Sequence, residues 1–127
     1  MIAPRDLKRW MSAFLSLAAS GEVGEAFARH VDPDSFIHHN QHVRHGRESL
    51  IAAMKDSAAR RPKRSFTVIM AIEEGDRVMT CSHVQMPDAG VAIAVVHIAR
   101  FQGDRIVELC DVGHVIAKDS QNEQGMF

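Results

Sequence analysis

The spacing of the apolar residues changes at Pro62, and this change constrains the fold more than any other feature of the sequence. Before Pro62 the apolar residues recur every three or four positions, which is the period of an amphipathic helix. After Pro62 they follow the period of two that is typical of β-strands, in long runs separated by short turns that contain glycine. A chain whose helices precede its strands predicts an α+β domain, in which one face of the sheet closes against the helices and leaves a pocket.

The predicted elements are three helices, one short strand between the second and third helices, and four long strands. The first helix is expected from Pro4 to Ala19, the second from Val23 to His30, and the third around Leu50–Ala58, with the short strand at Phe36–Asn40. The four long strands are expected at Ser65–Glu73, Arg77–Met86, Val91–Phe101 and Arg105–Ile116. Because the turns between them are short, consecutive strands must be antiparallel neighbours in a curved meander.

The length and the charge narrow the possible functions. A chain of 127 residues suits one domain, which we expect at residues 1–116, followed by a loosely held tail at 117–127. The formal net charge of −1 provides no basic field for a polyanion, so we expect no nucleic-acid partner. The sequence has neither a signal-peptide pattern nor a long apolar segment, which favours a cytoplasmic protein without a membrane partner.

The third long strand is apolar on both of its faces. Ala92, Ala94, Val96 and Ile98 alternate there with Ile93, Val95, His97 and Ala99. One of these faces can pack on the helices, and the other needs a second cover. The pattern therefore predicts a homodimer that packs through the outer face of the sheet.

The alignment of the last two strands predicts a neighbouring pair of polar side chains. If Phe101 lies opposite Val107 across the turn at Gln102–Asp104, then His97 falls directly opposite Asp111 on the same face, among apolar neighbours. Desolvation would make the carboxyl group a better proton carrier at neutral pH, and the imidazole could polarise an oxygen or share the proton. The same pair could instead satisfy each other in the interior without any chemistry.

Two segments resemble the SnoaL-like polyketide cyclases of the nuclear-transport-factor-like, or ketosteroid-isomerase-like, superfamily. The first is the run Val96–Phe101 followed by Gly103, Ile106 and Asp111, which is similar to the closing hairpin of that family. The second is Phe36–Asn40 followed by Gly46-Arg47-Glu48, which resembles the family's first strand and the start of the next helix. The resemblance implies a cone-shaped, cystatin-like α+β barrel in which a curved sheet wraps the N-terminal helices around an enclosed pocket.

The resemblance also implies roles for three residues. Asp111 matches the acid/base aspartate of the family, His97 matches a histidine that holds the substrate, and Asn40 matches an asparagine that contacts a substrate oxygen. The implied reaction is an intramolecular aldol cyclisation of a hydrophobic, polyketide-like carbonyl substrate, with no cofactor. Steroid isomerisation is disfavoured, because Asn40 and His97 stand where ketosteroid isomerase has carboxyl groups and the chain contains no tyrosine.

Three further side chains are candidates for binding the substrate. His83 could be a third polar group in the cavity or a buried histidine bonded to a carbonyl, and His39 is a weaker candidate than Asn40 for the end of the first strand. Trp10 could cover the pocket or belong to the core. No metal site is predicted, since His38, His42 and His45 have no fixed geometry and His83, His97 and Asp111 would be a better set if a metal were present.

Three other classes of function remain open at this stage. One is a metal-dependent protein that uses the interior histidines. The same fold could carry a dehydratase, hydrolase or isomerase that uses Asp111 to move a proton. It could also be a small dimer that binds a hydrophobic ligand without catalysis, because a fold does not determine a function.

Overall fold

The computed structural model describes residues 6–127, and it has the predicted α+β architecture. The helices are α1 (Leu7–Ala19), α2 (Val23–His30) and α3 (Arg47–Arg60). The strands are β1 (Ile37–His39), β2 (Ser65–Glu74), β3 (Arg77–Met86), β4 (Val91–Gln102) and β5 (Arg105–Val115), with a short 3-10 turn at Pro87–Ala89. Pro4, where the first helix was expected to begin, lies outside the described residues.

The start of α1 has a local cause. The Asp6 side chain accepts a hydrogen bond from the backbone N–H of Arg9 at 3.1 Å, so it caps the first turn of the helix. The apolar stripe of α1 then buries Leu7, Met11 and Phe14 completely. At the other end of the helical region, α3 stops at Arg60, two residues before Pro62, because proline disfavours the helical conformation in the residue before it.

The five strands form one sheet in the order β1-β5-β4-β3-β2. The four long strands are an antiparallel meander, as predicted. β1 is shorter than the predicted segment Phe36–Asn40, and it joins the edge of the sheet parallel to β5. The parallel pairing arises because a helix and three further strands separate β1 from β5 in the chain, so no tight turn forces the two strands to run in opposite directions.

The predicted alignment of β4 and β5 is confirmed at its centre and wrong at its turn. His97 lies opposite Asp111, but Phe101 pairs with Ile106 rather than with Val107. A bulge between Arg100 and Phe101 shifts the register by one residue at the turn. The tight turn at Gly103, whose φ is 64°, requires that shift and leaves the central pairs unchanged.

The core lies between the inner face of the sheet and helices α1 and α2. Phe14 and Phe27 are completely buried, with their ring centroids 5.5 Å apart in an edge-to-face arrangement. Phe27 also packs edge-on against Phe36, which precedes β1, so the aromatic cluster ties the first strand to the helices. Within residues 6–127, no helix is both long enough and apolar enough to span a membrane.

Candidate active site

A cavity of about 270 Å³ lies between α1, α3 and the inner face of the sheet. Most of the residues around it are apolar, including Phe14, Leu50, Phe66 and Leu109. Five polar residues also line it: Asn40, Ser57, Arg64, His97 and Asp111. Asn40, Ser57, Arg64 and Asp111 also line a neighbouring cleft along the ends of β4 and β5, so the cavity opens on the side where these polar residues lie.

Asp111 is held at this opening by Asn40. The Asn40 amide nitrogen donates to both carboxylate oxygens of Asp111, at 2.9 Å and 3.1 Å. These residues are 71 positions apart in the sequence. They meet because β1 pairs with β5, with His39 opposite Cys110 in the last pair before Asn40 and Asp111.

The other end of the Asn40 side chain is occupied by its own loop. The Asn40 carbonyl oxygen accepts hydrogen bonds from the backbone N–H groups of His42, at 2.7 Å, and Val43, at 2.9 Å. These bonds fix which end of the amide faces Asp111, because only the NH₂ end can donate to a carboxylate. Both ends of the Asn40 side-chain amide are therefore bonded within the protein, and this amide fixes the orientation of the Asp111 carboxylate.

His97 occupies the next position on the same inner face, directly opposite Asp111 in the β4–β5 pair. Its ring is 6.3 Å from the ring of Phe66, measured between centroids, and its Nδ1 is buried without a partner in the described part of the chain. Burial lowers the pKa of His97, and the Asp111 carboxylate only partly opposes that effect. His97 is therefore neutral at pH 7, with one ring nitrogen as a donor and the other as an acceptor.

Arg64 and Ser57 are the polar side chains of the cavity that the sequence analysis missed. The run Arg60–Arg64 resembles a solvated helix end, yet the Arg64 guanidinium donates to the Ser57 hydroxyl at 3.2 Å and to the Ala19 carbonyl at 3.1 Å. The spacing of Arg64 and Phe66 in the sequence could have indicated this position. Arg64 lies two positions before Phe66, which faces the cavity, so the period of two places Arg64 on the same face.

Two of the predicted binding residues lie away from the cavity because of strand alternation. His83 is on the outer face of β3, since its neighbour Val84 faces inward and lines the cavity. Its ring centroid is 5.0 Å from that of Phe127 in the tail. His39 also faces outward, and its Nε2 is 2.7 Å from a carboxylate oxygen of Glu108. The expectation that His83 contributes to the pocket is therefore not met by its position, whereas His39 lines the neighbouring cleft but not the cavity itself.

Trp10 does not line the cavity either. It is half-buried on α1 and packs against the core, whereas Phe14 and Leu15 of the same helix reach the cavity. Trp10 lies one helical turn before Phe14 and is not among the residues that line the cavity. The position of Trp10 therefore fits the core role that the sequence analysis left open.

Two of the remaining histidines, His38 and His45, stack on each other. The rings of His38 and His45 lie 5.6 Å apart, nearly parallel, and His38 Nε2 is 3.1 Å from both the Arg44 carbonyl and the Gly46 N–H. Across residues 6–127 no group of three or more histidine, cysteine, aspartate or glutamate side chains is arranged to hold a metal ion. With His83 on the outer face, the set His83, His97 and Asp111 does not converge.

Solved structures with a similar fold come from several bacteria. IdmH of Streptomyces antibioticus, a candidate polyketide cyclase, has a TM-score of 0.72 and 17% identity over 86% of this chain and 92% of its own. TsrD of Streptomyces laurentii has a TM-score of 0.70 and 18% identity over 89% of this chain and 91% of its own. An uncharacterised cystatin-fold protein of Novosphingobium aromaticivorans has a TM-score of 0.70 and 18% identity over 86% and 99% of the two chains. At these identities the similarity shows the cystatin-like, nuclear-transport-factor-like fold alone.

The sequence itself shows the family. No curated protein matches the chain, but the family model of the SnoaL-like domain matches residues 8–109. The match spans α1 to the middle of β5 and ends just before Asp111. The chain therefore belongs to the SnoaL-like domain family.

Proposed function

We propose that this protein is an acid/base enzyme that uses Asp111 to move a proton on a hydrophobic carbonyl substrate. The observation that carries the proposal is the position of the Asp111 carboxylate, which Asn40 holds at the opening of a largely apolar cavity beside a neutral His97. Membership of the SnoaL-like family and the fold shared with a candidate polyketide cyclase support it. The reaction that we propose is an aldol-type cyclisation of a polyketide-like substrate.

The proposed steps need only these side chains. The Asp111 carboxylate removes a proton from a carbon flanked by carbonyl groups and becomes a carboxylic acid, while the substrate becomes an enolate. The enolate carbon attacks a ketone of the same molecule and forms the new carbon–carbon bond. The resulting alkoxide takes the proton back from Asp111, so the carboxylate is restored and no external reactant is consumed.

His97 and Asn40 have different parts in this scheme. The neutral imidazole of His97 donates an N–H to the substrate oxygen that gains charge, and such a donor lowers the barrier most when the protein holds it in place beforehand. Asn40 acts as a positioning residue for Asp111, because both ends of its amide are already bonded within the protein. The substrate contact expected for Asn40 from the family resemblance stays a prediction, because an amide NH₂ group has a second N–H that can donate to a substrate oxygen.

We also propose a homodimer through the outer face of the sheet. In the single chain this face carries exposed apolar side chains on four strands, including Ile72, Ile98 and Val112, which are 52%, 40% and 62% exposed. Val112 lies opposite Val96 and Ile98 lies opposite Cys110, so these side chains form one continuous patch. A second copy of the chain would cover it. The cytoplasmic location expected from the sequence also remains a proposal.

Proton removal can be tested without knowing the natural substrate. The probe is 2-tetralone, a two-ring ketone whose acidic CH₂ group exchanges hydrogen for deuterium in D₂O, and the measurement is the exchange rate by NMR with and without protein. We expect the wild-type protein to accelerate exchange and Asp111→Asn to lower the rate by about 100-fold or more. The matched variant Asp104→Asn, in an exposed turn, should exchange at the wild-type rate.

Two results would contradict this proposal. Equal exchange rates for the wild-type protein and Asp111→Asn would remove Asp111 from the chemistry. A wild-type protein that binds 2-tetralone without accelerating exchange would favour the ligand-binding function over the enzyme.

A further inference from the structure

Arg64 places a positive charge in the wall of the cavity. It is the only lysine or arginine among the residues that line the cavity. In the described part of the chain no carboxylate lies within ion-pairing distance of its guanidinium. Asp111 shares the cavity, but its oxygens accept from Asn40 and form no ion pair with Arg64. The cavity therefore contains a cation that no neighbouring anion neutralises.

Most of the hydrogen-bonding capacity of Arg64 is unused within residues 6–127. A guanidinium has five N–H donors. Two of them are taken, one by the Ser57 hydroxyl and one by the Ala19 carbonyl, and Nε is buried without an acceptor. Nε has no exposed surface to offer a ligand, so the donors left for one are the second N–H groups of the two terminal nitrogens.

The two existing bonds hold the guanidinium in one orientation. Ala19 is the last residue of α1, where the carbonyl groups at the helix end attract a cation, and Ser57 is on α3. Arg64 is thus tied to two helices before any ligand binds, and little conformational entropy is lost on binding. Burial lowers the pKa of Arg64, and no acidic group opposes that effect, but an arginine keeps its charge in proteins.

We propose that Arg64 binds a carboxylate group of the ligand, so that the natural ligand of this cavity is an apolar acid rather than a neutral molecule. A planar guanidinium with free N–H groups matches the two oxygens of a carboxylate. The apolar remainder of the ligand would lie against Phe14, Leu50 and Phe66. The volume of about 270 Å³ suits a molecule of one or two rings. The inference rests on the proposed function in one respect only, which is that this cavity holds the ligand.

The test compares two probes of nearly the same size that differ in the charge and hydrogen bonding of one group: naphthalene-2-carboxylate and naphthalene-2-carboxamide. Calorimetry gives the Kd of each probe for the wild-type protein, Arg64→Met, Arg64→Lys and the matched control Lys63→Met. Lys63 is the adjacent residue, its side chain is 77% exposed, and it does not line the cavity. We expect the wild-type protein to bind the carboxylate about tenfold or more tightly than the carboxamide, because the bond to the charged group adds to the same apolar contacts.

The variants then assign this preference to Arg64. Arg64→Met should abolish the preference without changing the Kd of the carboxamide, Arg64→Lys should keep part of it, and Lys63→Met should keep all of it. Equal affinity of the wild-type protein for the two probes, or an undiminished preference in Arg64→Met, would overturn the proposal. If Arg64→Met does not fold, the wild-type ratio together with Arg64→Lys and Lys63→Met decides the question.

The binding test separates this inference from the proposed reaction. Suppose that the protein prefers the carboxylate because of Arg64 but does not accelerate exchange in 2-tetralone. This result would support the anion site and contradict the proposed enzyme. Exchange that depends on Asp111, combined with equal affinity for the two probes, would support the enzyme and contradict the anion site. Failure of the wild-type protein to bind either probe would overturn the inference and remove the cavity as the ligand site.

Discussion

Asn40→Asp tests the arrangement around Asp111 with almost no change in shape. The new carboxylate keeps an oxygen that accepts from His42 and Val43, so the loop after β1 should be retained. The other end changes from a donor to an acceptor, and it faces the Asp111 carboxylate at about the present distances of 2.9 Å and 3.1 Å. Two ionised carboxylates this close repel each other strongly, so one of them takes up a proton.

The cost of this proton sets the size of the effect. An aspartate in an unfolded chain titrates near pH 4, and each pH unit above that value costs about 1.4 kcal/mol for a proton that must stay bound. The free energy of unfolding of the variant at pH 7 should therefore be lower than that of the wild-type protein by up to about 4 kcal/mol, and at pH 5 by only about 1.5 kcal/mol. Solvent at the opening of the cavity reduces both values.

The direction of the pH dependence follows from the proton that the folded variant holds. Its carboxyl pair has a raised pKa, so its folded state binds more protons than its unfolded state, and stability is lost as the pH rises from 4 through that raised pKa. Urea denaturation at several pH values between 5 and 8 measures this slope, and Asn40→Ala serves as the uncharged control. If Asn40→Asp and Asn40→Ala lose the same free energy at every pH, position 40 does not contact Asp111 and the description of the site is wrong.

Two further predictions concern His97 and the outer face of the sheet. Burial lowers the pKa of His97 below 6.5 in the folded protein. As the pH falls below 6.5, His97 therefore binds a proton more readily in the unfolded chain than in the folded one. The wild-type protein should thus lose more stability than His97→Gln as the pH falls below 6.5, and parallel stability curves would contradict this. In the second case, Val112→Lys places a charge at a position that is 62% exposed in the single chain, so it should change the free energy of unfolding of the separated monomer by less than about 0.5 kcal/mol. It should nevertheless lower the mass measured by light scattering from that of a dimer to 14.1 kDa, and a wild-type protein that is already monomeric would refute the proposed dimer.

The β4–β5 register was predictable because its determinants are local. A short turn and the alternation of side chains are enough to bring His97 opposite Asp111. The bulge at Arg100 and Phe101 did not disturb this pair, since it lies between the pair and the turn and the error in the predicted turn pairing compensated for it. Pairing across a turn depends on few residues, so a single sequence contains most of the information.

The inward face of β3 was not predictable in the same way. Thr80 and Ser82 are completely buried on that face, and their hydroxyl groups have no hydrogen-bond partner within the described residues. Met79, Cys81 and His83 lie on the outer face, although their composition favours the interior. The choice between the two faces is made by the pairing of β3 with β2 and β4, which depends on contacts that the strand's own sequence does not contain.

Arg64 and Asn40 show the same limit over longer distances. The acceptor of Arg64 on α1 is 45 positions away, and the acceptor of Asn40 on β5 is 71 positions away. The sequence contains the side chains, but the polar partners are chosen by tertiary packing. The resemblance to the family located Asn40 and Asp111, and in the structure these two residues are hydrogen-bonded to each other.

The edge position of β1 implies that the site can lose its order while the rest of the fold stays intact. β1 joins the sheet through only three residue pairs, whereas the other strands share ladders along most of their length. Short edge segments open at a lower free energy than central strands, so the backbone amides of β1 should exchange with solvent by local opening rather than by global unfolding. Each such opening would carry Asn40 away from Asp111 and release the carboxylate from its only side-chain donor in the described chain. The time that Asp111 spends in a defined orientation would then be governed by the local stability of a three-residue strand, and a ligand that bridges the two residues would slow the exchange of these amides.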